Sequence, residues 1–391
     1  MHAHSRHLGT TPGLQGFDFQ PRTRVVFGDD SLERVGELAR ELGARHVLLV
    51  TDKGLAAAGH PSRAVGFIEA AGLQVTIFDD VHENPTTLDV DRGVAVARQA
   101  GIDLIVGLGG GSSMDTAKGI NFILTNGGHM KDYWGVGKAT KPMLPLIAIP
   151  TTAGTGSECQ SYALIADEHT HMKMACGDPK AAAKVAILDP LLTISQPARV
   201  TACTGIDTLT HALETAVTKK RTPLSAIYSQ EAFLLCLGGL ERVLRDPRDL
   251  EARGMMQLSA AFAGTAIENS MLGAAHAAAN PLTARFGVVH GQAVGLMLPA
   301  VIRYNARDAQ AHERYLELSA AADLGPLDEF LAELEVLLDV AKMREGLAQY
   351  GIDRKEFPAL AKAAAQQWTA GFNPRKIDAP DFEQLYEEVF S

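Results

Sequence analysis

The stretch DLIVGLGGGSSMDTAKG, residues 103–119, indicates the fold class of this chain. Its apolar run predicts a strand that leads into three consecutive glycines, and the residues after them open a helix. Glycines let the backbone approach a phosphate, while the free N–H groups and the dipole at a helix start favour an anion. Ser112 and Ser113 add hydroxyl donors. The motif differs from the GxGxxG of an ordinary dinucleotide fold, because position 112 is Ser, and a tight connection without a ligand is the alternative.

Outward from this motif, strand-like runs alternate with helical segments. Apolar runs lie at residues 24–27, 46–52, 75–78 and 144–152. Apolar strands that alternate with helices predict an α/β domain with a mostly parallel sheet covered on both faces. SYALI and MKMAC, on either side of a polar segment, predict a β-hairpin.

After residues 185–190 the pattern changes to long alanine- and leucine-rich stretches with helical spacing. The sequence therefore predicts a flexible tail at residues 1–16, an α/β dinucleotide-binding domain at 17–193 and an all-helical domain at 194–391. We expect the active site in the cleft between the two domains, a common place for ligand sites.

The bulk composition agrees with two packed domains. The chain has 391 residues, of which 46% are hydrophobic and 21% charged, and this length exceeds one typical core. A net charge of -10 argues against nucleic-acid and anionic-membrane surfaces. No apolar run is long enough to span a bilayer, and the first residues lack a signal-peptide core. The four cysteines show no CxxC spacing, which predicts buried thiols and a cytoplasmic location.

Two further segments predict cofactor contacts. Asp52 ends the strand LLVTD, where an acid can bind a ribose hydroxyl and repel a 2′-phosphate. Capping of the following helix is the alternative. PTTAGTGSE, residues 150–158, places Thr151, Thr152 and Thr155 among glycines directly after a strand. This segment is either a polar collar for ribose or pyrophosphate, or an ordinary polar loop.

Four residues in the second half predict a metal site. Asp207 and His211 lie four apart in GIDTLTHALE, so one helix face carries both. His276 and His290 follow in the next helical region. One carboxylate and three imidazoles without a thiolate suit a catalytic divalent metal, which would also offset the desolvation of these groups. A hydrogen bond within one helix is the alternative for the first pair.

Together, GGGSSMDTAK, PTTAGTGSE, GIDTLTHALE and the pair HAAANPL and HGQAVGLMLP resemble the iron-containing (group III) alcohol dehydrogenases. The motifs keep the family order across nearly the whole chain. The resemblance implies an α/β nucleotide-binding domain followed by an all-helical domain, the fold shared with dehydroquinate synthase.

The resemblance also implies the ligands of the site. Asp207, His211, His276 and His290 would bind one divalent metal, Fe²⁺ or alternatively Zn²⁺. NAD would be the coenzyme rather than NADP, since Asp52 matches the position whose acid favours NAD. The remaining implied cofactor contacts are Asn84, Gly109, Gly110, Gly111, Ser112, Ser113, Thr151, Thr152, Thr155 and Lys173. Family members are often dimers, so a homodimer or higher oligomer is expected, with strands near residues 24–27 at the interface.

Two departures from the family pattern concern the substrate. Many members read HxxxH at the first late histidine, but here the second position is Asn280. An amide does not titrate near neutral pH, so Asn280 could orient a substrate but could not carry its proton. Glu268 stands where the family often has a small residue, and either lines the pocket or forms a surface salt bridge.

The predicted function is reversible hydride transfer between a small-molecule alcohol and NAD(P), with the metal as Lewis acid on the alcohol or carbonyl oxygen. Maleylacetate reductase-like and hydroxyacid–oxoacid transhydrogenase activities are the alternatives within the same chemistry. A carbocyclic lyase and a non-catalytic NAD-binding protein are alternatives of different classes.

Overall fold

The computed structural model describes residues 16–170 and 172–391. Of the tail predicted at residues 1–16, residues 1–15 lie outside this part of the chain. Among the described residues, no helix combines the length and the apolar character needed to cross a membrane.

A six-stranded sheet forms the centre of the N-terminal half. The strands of the described residues are β1 (Arg24–Phe27), β2 (His46–Val50), β3 (Gln74–Phe78), β4 (Leu104–Gly109), β5 (Gly135–Val136), β6 (Leu146–Pro150), β7 (Tyr162–Ala166), β8 (Lys173–Gly177) and β9 (Val185–Leu188). The large sheet has the order β1-β9-β6-β4-β2-β3, and its neighbouring strands all run parallel. The predicted α/β class with a mostly parallel sheet is therefore confirmed.

Helices cover both faces of the sheet and form the second half. The helices of the described residues are α1 (Val35–Glu41), α2 (Lys53–Ala58), α3 (His60–Ala70), α4 (Thr87–Ala100), α5 (Gly111–Asn126), α6 (Ala198–Val217), α7 (Pro223–Arg245), α8 (Leu250–Ser270), α9 (Ala274–Phe286), α10 (His290–Asn305), α11 (Ala309–Ala321), α12 (Leu327–Val340), α13 (Phe357–Ala365) and α14 (Ala379–Glu388).

The central strands are apolar at successive positions because both faces of the sheet are buried. In β2, Leu48 and Val50 belong to one core cluster, while Val47 and Leu49 belong to the cluster on the other face. Successive side chains of a strand point to opposite faces, so a strand covered on both sides needs an apolar residue at every position.

A small second sheet adds the predicted hairpin. β7 and β8 pair antiparallel from Tyr162 opposite Gly177 to Ala166 opposite Lys173. The short strand β5 pairs parallel with β8. The hairpin is therefore confirmed.

The C-terminal half is helical from α6 onward within the described residues. Its core consists of two clusters, one centred on α6, α7, α8 and α12, and the other on α9, α10, α13 and α14. The change from sheet to helices lies between β9 and α6, and the domain limits 17–193 and 194–391 stay a prediction.

Among the contacts that connect the helical half to the sheet half across this boundary are two made by residues of α8. Gly156, with φ of 62°, packs backbone to backbone against Gly264 of α8, and a Cβ atom on Gly156 would lie 2.7 Å from the Gly264 Cα. Glu268 of α8 accepts hydrogen bonds from the backbone N–H (2.9 Å) and the hydroxyl of Ser161, and forms an ion pair with Arg22 at 3.0 Å. Its side chain is only 9% exposed. Glu268 forms the salt bridge that was one of its two interpretations, with Arg22 as the partner. The carboxylate is, however, largely buried and does not lie on the surface.

Candidate active site

Helices α6, α9 and α10 bring the four predicted ligands together. Asp207 and His211 lie one turn apart on α6, His276 lies in the first turn of α9, and His290 is the first residue of α10. The Nε2 atoms of His211 and His276 are each 3.4 Å from Asp207 Oδ1, and that of His290 is 3.7 Å from it. Ligand atoms of Asp207, His276 and His290 all lie within 4.8 Å of one another.

Two imidazoles are oriented by hydrogen bonds at the ring nitrogen that faces away from Asp207. Nδ1 of His211 lies 3.2 Å from the Gly154 carbonyl oxygen, and Nδ1 of His276 lies 2.6 Å from Glu214 Oε2. Because these oxygens can only accept, both Nδ1 atoms donate. In each neutral ring Nε2 then carries the lone pair, which is the arrangement that a metal ligand needs.

The chemistry of this cluster fits a divalent cation. Asp207 Oδ1 and His276 Nε2 are buried, and neither has a hydrogen-bond partner among the described residues. Buried polar atoms without a partner are costly. A cation between them would satisfy both.

The pKa shifts of two imidazoles favour the neutral ring that a metal ligand needs, whereas that of His276 favours the charged ring in the metal-free protein. Burial lowers the pKa of His211, and burial lowers that of His290 to about 3, so both rings are neutral at neutral pH. Burial also acts to lower the pKa of His276, but the carboxylates of Asp207 and Glu214 outweigh it and raise the pKa to about 9. The proton on His276 supplies positive charge that a divalent cation would replace, since ligand nitrogens must be deprotonated.

The glycine turn and the threonine loop lie side by side at the carboxyl ends of β4 and β6. A Cβ on Gly111 would lie 2.7 Å from the Thr155 methyl carbon, and one on Gly110 would lie 3.5 Å from that of Thr152. The Thr151 N–H donates to the Gly109 carbonyl at 3.0 Å. Gly109 has φ of 151°, a conformation that other residues rarely adopt.

The start of α5 is suited to an anion. Gly110 is the N-cap of this 16-residue helix, and no side chain caps it. The Ser113 N–H donates to the Gly110 carbonyl at 3.1 Å. The N–H groups of Gly111 and Ser112 are therefore the ones suited to a ligand at the edge where parallel sheets bind theirs.

Asp52 lies at the carboxyl end of β2, beside this turn. Its Oδ1 accepts from the Leu55 N–H at 3.1 Å and so caps α2. A Cβ on Gly109 would lie 3.2 Å from Leu55 Cδ1, which shows how near the two loops are. The helix-cap interpretation is thus confirmed, and a ribose contact by the same carboxylate stays a prediction.

Asn84 and Lys173 lie near the same end of the β7–β8 hairpin. Asn84 is exposed, with φ of 53°, and precedes Pro85, whose carbonyl accepts from the Ala166 N–H at 2.8 Å. Ala166 pairs with Lys173, which is also exposed. The fold therefore brings these two predicted cofactor residues to one region of the surface.

Two family models match successive parts of the chain. The model described as iron-containing alcohol dehydrogenase matches residues 21–190, and that of the C-terminal part of the Fe-containing family matches residues 201–390. This chain belongs to the iron-containing alcohol dehydrogenases.

Characterised relatives span nearly the same length. The chain is 33% identical to 1,3-propanediol dehydrogenase of Klebsiella pneumoniae over 96% of this chain and 99% of the relative. It is 34% identical to the NAD-dependent methanol dehydrogenase of Bacillus methanolicus over 93% and 97%. A crystal structure of 1,3-propanediol oxidoreductase matches with a TM-score of 0.92 and 33% identity, covering 96% of this chain and all of the other. This alcohol dehydrogenase is therefore an oxidoreductase that acts on alcohols with a nicotinamide dinucleotide and a metal ion.

In this dehydrogenase, the family departure Asn280 is half-buried on α9, one turn after His276. Its Nδ2 donates to Gln367 Oε1 at 3.1 Å, so two neutral amides meet on the surface of α9. The amide carbonyl of Asn280 has no role in that bond.

Sequence interpretation missed two buried groups. Lys118 is fully buried and donates to the carbonyl and hydroxyl oxygens of Ser157 at 2.7 and 2.8 Å, while the Ser157 hydroxyl donates to Asp115. This network joins the two glycine-containing motifs, and the acid and lysine three apart in MDTAK were its sequence signal. Glu214 is the other missed group, and its position three residues after His211 could have indicated it.

Proposed function

We propose that Asp207, His211, His276 and His290 hold one divalent metal, Fe²⁺ or alternatively Zn²⁺, for hydride transfer between a small alcohol and NAD. The observation that carries this proposal is the pair of buried, unpartnered ligand atoms, Asp207 Oδ1 and His276 Nε2. The family name supports iron, although imidazole and carboxylate ligands also accept zinc.

The metal would supply Lewis-acid polarisation of the alcohol or carbonyl oxygen. The protein residues bind and orient the other participants. Residues 109–113 would hold the pyrophosphate on the N–H groups at the start of α5. The remaining proposed contacts to ribose, nicotinamide and adenine are those of Thr151, Thr152, Thr155, Lys173 and Asn84.

NAD is proposed over NADP because of Asp52. Its carboxylate stands at the end of β2, where it would accept from a ribose hydroxyl and repel a 2′-phosphate. The relative from Bacillus methanolicus is named as NAD-dependent, which supports the same choice.

Asn280 is proposed as a substrate contact without a part in proton transfer. An amide has no proton to exchange near neutral pH. The substrate proton would therefore leave through solvent or a ribose hydroxyl. The Asn280–Gln367 amide pair would offer uncharged hydrogen-bonding groups to an alcohol or aldehyde.

A homodimer formed through β1 is proposed as the assembly, with a higher oligomer as the alternative. β1 is an edge strand of the large sheet, and its Val25 and Phe27 are 42% and 46% exposed. An uncovered edge with apolar side chains is a ready template for pairing. The four cysteines are free and buried, which supports the proposed cytoplasmic location.

The test compares metal-free protein with protein reloaded with Fe²⁺ or Zn²⁺. Oxidation of short alcohols is followed with NAD and NADP, and reduction of the matching aldehydes with NADH and NADPH. We expect turnover only after reloading, and faster turnover with NAD.

The matched variants are His276→Ala and His46→Gln, which removes a histidine of β2 that contacts Thr76. We expect His276→Ala to lose metal and turnover while it still binds NADH, and His46→Gln to retain metal, turnover and NADH binding. Full turnover by His276→Ala, or by metal-free wild type, would contradict the proposal.

A further inference from the structure

Glu214 is a buried carboxylate in direct contact with one of the proposed ligands. It lies on α6 and is 3% exposed. Its Oε2 accepts from His276 Nδ1 at 2.6 Å, and its Oε1 accepts from the Ala275 N–H, also at 2.6 Å. Both carboxylate oxygens are therefore engaged with the first turn of α9.

The surrounding packing leaves Glu214 little freedom. A Cβ on Gly273 would lie 3.0 Å from Glu214 Oε1, so the absence of a side chain there lets the carboxylate approach the start of α9. The adjacent Ala274 N–H donates to Asn373 Oδ1 at 3.2 Å. A negative charge at a helix N-terminus is also stabilised by the helix dipole.

The two oriented imidazoles differ in the charge of their partner. His211 donates to a neutral backbone carbonyl at 3.2 Å, whereas His276 donates to a carboxylate at 2.6 Å. A charge-assisted bond is the stronger of the two and makes the imidazole a more basic ligand.

We propose that Glu214 is the positioning residue of the metal centre. It fixes the proton of His276 on Nδ1 and the ring in its plane, so that the Nε2 lone pair faces Asp207. This inference rests on the proposed metal site, and it assigns to that site a residue beyond its four ligands.

Glu214→Gln separates this role from a purely structural one. The amide keeps the size of the side chain but has one acceptor, while two donors, the Ala275 N–H and His276 Nδ1–H, face it. One of these donors would then face the NH₂ donor of the glutamine and lose its hydrogen bond, unless the proton of the imidazole moves from Nδ1 to Nε2. That shift would place the proton on the atom that the metal needs.

The experiment measures metal affinity of the metal-free protein by Zn²⁺ titration against a chromophoric chelator. Loss of such an orienting partner typically weakens binding by about 10–100-fold, and we expect this for Glu214→Gln. The visible absorption of Co²⁺-loaded protein should change in the same variant, because the ligand field at His276 changes.

The matched control is Glu268→Gln, another buried carboxylate of the helical half, which binds Ser161 and Arg22. We expect it to keep wild-type Zn²⁺ affinity and an unchanged Co²⁺ spectrum. Urea unfolding of each metal-free variant checks its folding. If Glu214→Gln does not fold, Gly273→Ala is the second variant, because its methyl group would lie 3.0 Å from Glu214 Oε1 and 3.1 Å from Asn373 Oδ1 and would remove no donor or acceptor. We expect it to lose less affinity than Glu214→Gln would.

The inference is overturned if Glu214→Gln, or Gly273→Ala in its place, binds Zn²⁺ within about twofold of wild type, or if Glu268→Gln loses as much. Failure of the wild type to bind Zn²⁺ or Fe²⁺ would instead contradict the proposed function. The wild-type titration thus separates the two failures.

Discussion

Replacement of Gly291 by alanine tests how closely the metal site depends on helix packing. Gly291 follows His290 at the start of α10. A Cβ there would collide with the Cys203 carbonyl oxygen, and would lie 2.6 Å from its carbonyl carbon and 2.9 Å from its Cα. The backbone of α10 thus lies directly on α6, one turn before Asp207.

The expected effect is large because the obstructing atoms are backbone. Carbon atoms pack at about 3.5–4.0 Å, so the start of α10 must retreat by roughly 1 Å. Overpacking lowers the free energy of unfolding by about 1–3 kcal/mol. We expect a value at the upper end of this range, because the obstructing backbone of Cys203 cannot move aside as a side chain could. Metal–ligand distances tolerate only about 0.2 Å, so His290 would leave its place beside Asp207. We expect Gly291→Ala to lose about 2–3 kcal/mol of stability and at least about tenfold in Zn²⁺ affinity.

Urea unfolding of metal-free protein and Zn²⁺ competition measure the two effects. The control is Gly66→Ala within α3, where a Cβ meets nothing within 4 Å. Alanine there should stabilise the helix by about 0.5–1 kcal/mol and leave the metal site unchanged. The reasoning is refuted if Gly291→Ala is as stable as wild type, or if both variants shift stability in the same direction.

Three other changes probe coenzyme choice, proton transfer and pH dependence. Asp52→Asn keeps the cap on α2 but removes the charge, so the ratio of kcat/KM for NADP to that for NAD should rise by about tenfold, and an unchanged ratio would contradict the role of Asp52. Asn280→His adds a titrating group, so the pH profile of kcat/KM should gain a step near about pH 6.5. An unaltered pH profile would indicate that position 280 does not contact the substrate. Burial acts to raise the pKa of Asp89, but hydrogen bonds from Thr86 and His82 outweigh it and hold the pKa below its usual range. The ionised carboxylate therefore adds stability above about pH 4, and this stability is lost as the pH falls through the folded-state pKa. Asp89→Asn should therefore flatten the fall in urea midpoint between about pH 5 and pH 3. An equally steep fall in the variant would be inconsistent with this reasoning.

Local spacing was sufficient where helix or strand geometry fixes the outcome. Asp207 and His211 lie on one helix face in any helix, and the apolar run of β2 predicts a strand buried on both faces. The glycine turn before α5 was equally predictable, because Gly109 adopts a backbone conformation that suits glycine.

Contacts between distant segments were not predictable from spacing. Glu268 is hydrogen-bonded to Ser161, which is 107 residues away in the sequence, and His276 is hydrogen-bonded to Glu214, which is 62 residues away. The meeting of His276 and His290 with Asp207 was implied by family resemblance, since periodicity says nothing about which helices become neighbours. For Asp52, the sequence left the cap and the ribose contact open, because one carboxylate has two oxygens and can serve both.

The hydrogen bond from His211 Nδ1 to the Gly154 carbonyl has a thermodynamic consequence. Gly154 lies in the loop that carries Thr152 and Thr155, so the proposed coenzyme loop and a proposed metal ligand share one bond. Any free energy by which a dinucleotide orders this loop must, by reciprocity, appear equally in the binding of the metal. The equilibrium affinity for Zn²⁺ should therefore be higher in the presence of saturating NADH, and Zn²⁺ should raise the affinity for NADH by the same factor.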